Sequence, residues 1–187
     1  PENTHIRLEN VRFRWAEDRP WALKGLTLDI PPGSRVAILG PSGAGKSSLA
    51  ALLLRAATAQ DGHIFLGGED ITTLRPASVR SKMAWLSQAT HLFDDTIRAN
   101  LLLGRPDASE DDLWQALDQA AVSDVVRSLP EGLDTWVGEG GLRLSGGQGR
   151  RIALARTLLA RAPVLILDEP ATGLDAQTEQ EFLRTLN

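Results

Sequence analysis

"RVAILGPSGAGKSSL", residues 35–49, is the stretch on which the fold turns. It joins a short apolar run, a glycine-rich loop and the opening of a segment of helical composition. The loop matches G-x-x-x-x-G-K-[ST] through Gly40, Gly45, Lys46 and Ser47, a spacing that cradles phosphate when a strand precedes it and a helix follows. Residues 35–39 read as that strand, apolar without alternation as burial on both faces requires. "KSSLAALLLRAA" reads as the helix. Gly40, Gly43 and Gly45, with Pro41, Ser42 and Ala44 between them, let the backbone wrap a phosphate with its N–H groups inward. The helix N-terminus adds positive potential, worth up to ~2 kcal/mol in a partly buried geometry. Lys46 is placed to reach the β- and γ-phosphates of a nucleotide, and Ser47, followed by Ser48, to bind Mg²⁺ through its hydroxyl. A plain glycine-rich turn is the bland alternative, and the complete motif in this context disfavours it.

Working outward, "VLILDEP" at 164–170 carries Asp168 and Glu169 to the end of an apolar run. Asp168 is placed to hold Mg²⁺ through water and Glu169 to accept a proton from an attacking water. Alone, the two acids could simply solvate a strand end; beside the phosphate loop that reading loses. A second glycine-rich helix start stands at "LSGGQGRR", residues 144–151. Ser145 followed three residues later by Gln148 has capping-box spacing, and Ile152, Ala155, Leu158 and Leu159 form the apolar stripe beyond it. Gly149, in the first turn, costs this helix ~1 kcal/mol relative to Ala.

The rest of the chain fills in a mixed α/β layout. "VRFRW" alternates, with Val11, Phe13 and Trp15 on one face; "LTLDI" alternates again and "GHIFLGG" reads as a short strand. From about residue 90 to 160 the pattern turns helical, and "SEDDLWQALDQAAV" has Ser109 as N-cap with acids in its first turn. A final helix is expected over 175–186. The chain has 187 residues, enough for one substantial domain, with 42% hydrophobic and 24% charged residues. A net charge of −4 argues against a broad basic face for nucleic acid. The absence of cysteine removes disulfides, thiolate metal sites and thiol nucleophiles. The longest apolar runs fall far short of a membrane span. Pro1 is not an initiator Met, which points to a piece of something longer or to a processed product.

With these motifs together, the sequence resembles the ATP-binding domain of ABC transporters from Val11 to the C-terminus. "LSGGQ" (Leu144, Ser145, Gly146, Gly147, Gln148) matches the family signature, "WLSQ" supplies the Q-loop glutamine Gln88, and "GLD" the D-loop aspartate Asp175. The resemblance implies an α/β fold: a P-loop NTPase (RecA-like) core, an N-terminal antiparallel β subdomain and an inserted α-helical subdomain. Residues 1–187 would form one domain, with 1–88 and 160–187 as core and β subdomain and 89–159 as the helical subdomain carrying the signature. It also implies ATP and Mg²⁺ as cofactors, with Ser47, Gln88 and Asp168 on the metal, Glu169 and Gln88 at the attacking water, and Trp15 stacked on adenine. In this family two such domains pair head to tail, so the signature residues would grip the γ-phosphate of the partner's ATP. A packing role for Trp15 and an ordinary loop role for Gln88 are the competing readings; Arg150 and Arg151 receive no catalytic role.

"TWVGEGGLRLSGGQ" resembles the stretch before the signature in exporters, where Glu139 would sit near the transmembrane domains. "HLF…NLLL", "GEGG" and "DEPATGLDAQTE" resemble the CydC-type subunits of the heterodimeric thiol exporter needed for cytochrome bd assembly. That resemblance implies export of glutathione or cysteine, a CydD-type partner, and a place on the cytoplasmic face of the bacterial inner (plasma) membrane. The family's switch histidine follows the D-loop helix, and His5, His63 and His91 all lie upstream of that point. The end of the core sheet is therefore expected to be missing, with weakened ATP binding, hydrolysis and stability in this piece. Two other functions compete: a regulatory half of an asymmetric ABC pair, and a soluble ABC ATPase acting on DNA.

Overall fold

The computed structural model describes residues 3–89, 91–139, 144–170 and 176–185. The chain divides into two compact units, Pro1–Met83 and Ala84–Asn187.

In the first unit, β1 (Ile6–Phe13) and β2 (Leu23–Ile30) pair antiparallel, with Ile6 opposite Ile30 and Phe13 opposite Leu23. After α1 (Lys46–Leu53) come β3 (Asp61–Leu66), which pairs with the other edge of β1, and the short β4 (Glu69–Asp70). The sheet order is β2-β1-β3-β4, and α2 (Pro76–Arg80) closes the unit. Along β1 the buried residues are Ile6, Leu8, Val11 and Phe13, which changes phase between Leu8 and Val11. A register shift falls at that point, and Asn10 there has φ 48°. The extra residue restores the side-chain period, so both halves of the strand face the same core. Trp15 lies beyond the strand and is 62% exposed, so it meets that face only at its Phe13 end.

Residues 35–39 depart from expectation. They form no strand, and Val36, Ile38 and Leu39 are exposed, Leu39 at 91%. An apolar strand of this kind is held by ladder neighbours on its edges and cover on its faces. Among the described residues, no sheet includes these five positions.

The second unit is mostly helical. Strand β5 (Met83–Leu86), which opens at the unit boundary, pairs with β8 (Val164–Leu167); Leu165 on β8 is 38% exposed, so that strand is only half covered. Between them run β6 (Asp95–Thr96), α3 (Ile97–Leu102), α4 (Glu110–Gln119), α5 (Ser123–Ser128), β7 (Trp136–Val137) and α6 (Gly146–Leu159). Helix α7 (Ala176–Thr185) follows β8. The pairing of β6 with β7 was not expected inside a helical stretch. Each is two residues long, too short for alternation to register in the sequence.

Helices α3 and α4 pack on α6. Ile152, Ala153, Leu154 and Ala155 are fully buried, so α6 is enclosed on every side over that turn, beyond the single stripe expected. Both helix starts expected from capping are present. Ser145 Oγ accepts from Gln148 N at 3.2 Å while Gln148 Oε1 accepts from Ser145 N at 3.0 Å. At α4, Ser109 Oγ accepts from Asp112 N at 3.2 Å, and the Asp112 carboxylate accepts from Ser109 N at 3.0 Å. That carboxylate also binds the guanidinium groups of Arg105 and Arg161. The Ser109 backbone bond first, then Arg105, lower the Asp112 pKa to about 2.

A carboxylate with a depressed pKa stabilises the fold above its unfolded value of ~3.9, and that contribution fades as pH falls towards ~2. Asp112→Asn is therefore expected to lower the urea midpoint at neutral pH, with a gap to wild type that narrows as pH falls below ~4. A gap constant between pH 7 and pH 3 would contradict this. At Gly149 an added Cβ would meet only Leu92 Cδ1, at 3.9 Å. Gly149→Ala is expected to raise stability by ~0.5–1 kcal/mol in urea unfolding; a loss would mean the first turn of α6 is not helical in solution.

Candidate functional site

In the first unit the site is the entry to α1. Gly43 and Gly45 have φ 83° and 95°, and Gly45 is the N-cap residue. A Cβ on Gly45 would strike the carbonyl oxygen of Ala22 and lie 3.0 Å from Leu23 Cδ2. Glycine is thus required twice over at this position, by conformation and by space. No side chain caps α1 and its first turn holds no acid. The helix therefore presents bare N–H groups and its positive end, which suits an anion. Lys46 Nζ donates to the carbonyl oxygens of Gly40 and Pro41, the latter at 3.1 Å, and so folds back over the loop. Ala44 N to Pro41 O, 3.1 Å, closes the turn that contains Ser42.

Ser47 and Ser48 divide the labour of the next two positions. Ser47 is exposed at the helix start. Ser48 is buried, and its Oγ accepts from Trp15 Nε1 at 3.0 Å. Trp15 also meets Phe13 edge to face with 5.0 Å between ring centroids. The ring is anchored by its nitrogen and one edge, while most of its surface faces solvent.

In the second unit, Asp168 N donates to Leu86 O at 3.0 Å, so the end of β8 is tied to the end of β5. Asp168 and Glu169 follow at that end, and Glu169 has φ 49°, in the left-handed region. Gln88 Nε2 lies 3.4 Å from Glu169 Oε2, which places the Q-loop glutamine against the carboxylate expected to act as base. Ser145 and Gly146 are exposed at the start of α6, Gly147 and Gln148 are half-buried, and Leu144 packs against the core. Asp175 lies outside the described residues. Glu139 is exposed in the turn after β7. That turn is pinned: Gly138 has φ 95° and a Cβ there would fall 2.7 Å from Asp94 Cα, while Trp136 Nε1 donates to Asp94 Oδ1 at 2.8 Å.

Arg150 escaped the sequence reading. Its guanidinium donates to the carbonyl oxygens of Ser87, Gln88, Asp168 and Glu169. Arg151 donates to Gly147 O and Ala121 O, at 3.2 and 3.1 Å. A signal was present. Two cations near a helix N-terminus are disfavoured by its dipole, so their presence there calls for compensating acceptors.

No group of three or more His, Cys, Asp or Glu suited to a metal occurs among the described residues. The donors expected for Mg²⁺ are instead the Ser47 hydroxyl, the Gln88 amide oxygen and the Asp168 carboxylate. All are hard oxygens, the donor chemistry that Mg²⁺ takes. No helix among the described residues is long and apolar enough to cross a membrane.

A family model described as "ABC transporter" matches residues 23–172. An ATM1-type heavy metal exporter of Novosphingobium aromaticivorans is 44% identical over 181 residues, 97% of this chain and 30% of that protein. The glutathione/L-cysteine transport system ATP-binding/permease protein CydC of Escherichia coli is 41% identical over 185 residues, 99% of this chain and 32% of that protein. A solved structure of a bacterial Atm1-family ABC exporter with ATP bound superposes with a TM-score of 0.92 at 43% identity, over 99% of this chain and 32% of that one. The chain spans about a third of the length of these relatives. With the phosphate loop, the signature and the P-loop NTPase fold in one sequence, the chain belongs to the ABC transporter family, as an ATP-binding domain of the exporter type.

Proposed function

We propose that residues 1–187 act as one ATP-binding domain, core at 1–88 and 160–187 and helical subdomain at 89–159, that hydrolyses ATP to power a membrane ABC exporter. The observation that carries the reading is the Gln88–Glu169 contact at the end of β8. A carboxylate and an amide held together at a strand end are suited to orient one water and take its proton.

ATP and Mg²⁺, when bound, supply a charge-compensated γ-phosphate for water to attack. The chain's residues do the remainder. The Gly40–Gly45 loop and the bare N-terminus of α1 bind the phosphates, and Lys46 exchanges the carbonyls of Gly40 and Pro41 for phosphate oxygens. Ser47, Gln88 and Asp168 are the residues for Mg²⁺. Trp15 offers its exposed face to adenine, a contact worth ~1–3 kcal/mol. Leu144 to Gln148 serve the nucleotide of a second domain, and Asp175 contributes from the D-loop. The Ser145 hydroxyl accepts a bond within the capping box and keeps its own proton to donate to a phosphate oxygen.

The partners are then a second ABC ATP-binding domain, in a homo- or heterodimer, and transmembrane domains reached through the helical subdomain and the Glu139 turn. The site of action is the cytoplasmic face of the bacterial inner membrane. No nucleic acid is involved. For the cargo we favour thiols such as glutathione or cysteine with a CydD-type partner. The resemblance to CydC supports this, while another relative is a heavy metal exporter.

In the full-length protein, Glu169→Gln is expected to keep ATP binding, to lower phosphate release by ~10²–10⁴-fold, and to accumulate ATP-dependent dimers in size-exclusion chromatography. Wild-type phosphate release in that variant would remove Glu169 as the base.

A further inference from the structure

We propose that Arg150 is a positioning residue for ATP hydrolysis, acting as a backbone clamp on the segment that carries Gln88 and Glu169. The inference rests on the reading of Glu169 as the base. Arg150 Nη1 donates to Ser87 O at 3.2 Å and Gln88 O at 3.0 Å. Its Nε and Nη2 reach Glu169 O at 3.3 and 3.1 Å, and Nη2 also reaches Asp168 O. One rigid, planar group therefore holds two consecutive carbonyls after β5 and two after β8. Its N–H groups diverge in a fixed fork, which fixes the spacing between the two backbones as well as their approach.

The consequence falls on side chains that Arg150 does not touch. Gln88 and Glu169 lie within reach of one another because their own carbonyls are held by one guanidinium. Glu169 has φ 49°, a conformation that an L-residue keeps only where its surroundings over-determine it. Two of the Arg150 bonds end on the carbonyl of that residue. Losing the clamp frees the carboxylate to swing away from the position needed for the water. A displacement of about 1 Å at a reacting group can cost ~10²-fold in rate.

The test uses the full-length protein and measures phosphate release with nucleotide affinity measured separately. Arg150→Met is expected to lower kcat ~10- to 100-fold with little change in ATP affinity measured without Mg²⁺, because none of the Arg150 bonds ends on the phosphate loop. Combined with Glu169→Gln it is expected to add no further loss, since a clamp has no effect once the base is gone. A merely structural role would lower both variants in parallel. Wild-type kcat in Arg150→Met, or a loss multiplying that of Glu169→Gln, overturns the proposal. Should Arg150→Met fail to fold, Arg150→Lys decides. A lysine ammonium cannot span four carbonyls, so a reduced kcat at unchanged affinity is expected, and wild-type kcat overturns the clamp. Wild-type turnover in Glu169→Gln would instead overturn the underlying reading, and the clamp with it.

Discussion

Ile152, Ala153, Leu154 and Ala155 are consecutive and fully buried, so α6 has no solvent face over that turn. Burial of each large aliphatic among them is worth ~1.5–3 kcal/mol. A helix enclosed this way cannot rotate without exposing apolar surface. Its N-terminus is aimed as a result, and so are the residues one turn in. The exposed Ser145 and Gly146, the capping box and the Arg150 guanidinium are all fixed by packing that none of them makes. α3 and α4 supply that packing, and the capping box of α4 holds it from the other end.

The two glycine-rich helix starts solve the same problem in opposite ways. Each helix opens with N–H groups that have no partner inside the helix. At α6 the sequence satisfies some of them itself, through Ser145 and Gln148. At α1 it does not: Gly45 has no side chain to cap with, and its conformation and surroundings admit no other residue. An uncapped end is less stable by ~0.5–2 kcal/mol than one capped by Ser, Thr, Asn or Asp, unless a ligand takes the place of the cap. Lys46 shows how the loop manages without one, turning its ammonium onto the carbonyls of Gly40 and Pro41. Phosphate oxygens are a better match for the same ammonium and the same N–H groups. The α6 end, already satisfied, has less to gain and suits a site completed by another chain.

Local rules made much of this legible in the sequence. Capping placed the starts of α4 and α6 because a cap depends on residues three apart. Period-two alternation marked the end of β1 in "VRFRW" and β2 in "LTLDI", and "GHIFLGG" read as the short strand β3; the half of β1 before Asn10 was not read, because the irregularity there breaks the alternation. What failed to show was non-local. Residues 35–39 have the composition of a buried strand, but composition cannot supply the ladder partners that would make one. The β6–β7 pair is two residues on each side, joined across some forty positions of helix, and leaves no periodicity. Trp15 continued an alternation that the chain had already abandoned. Arg150 received no role in the sequence, because its acceptors are carbonyls from two distant strand ends, and every residue has a carbonyl.

That last point bears on how the Glu169 joint is held. A left-handed φ at a non-glycine residue costs roughly 1–2 kcal/mol, and a cap or turn formed by neighbouring side chains would be the usual compensation. Here the neighbours are committed elsewhere: Asp168 N is taken by Leu86 O, which closes β8 onto β5. Gln88 is turned towards the carboxylate. The compensation has to come from outside both strands, from an element that does not move. α6 is such an element, and a guanidinium is the one side chain with enough donors to reach both strand ends from a single attachment point. The cation's unfavourable place near a helix N-terminus is the counterpart of that reach. Its charge is matched by the carbonyl dipoles it gathers, and the strained joint persists because those dipoles share one rigid donor.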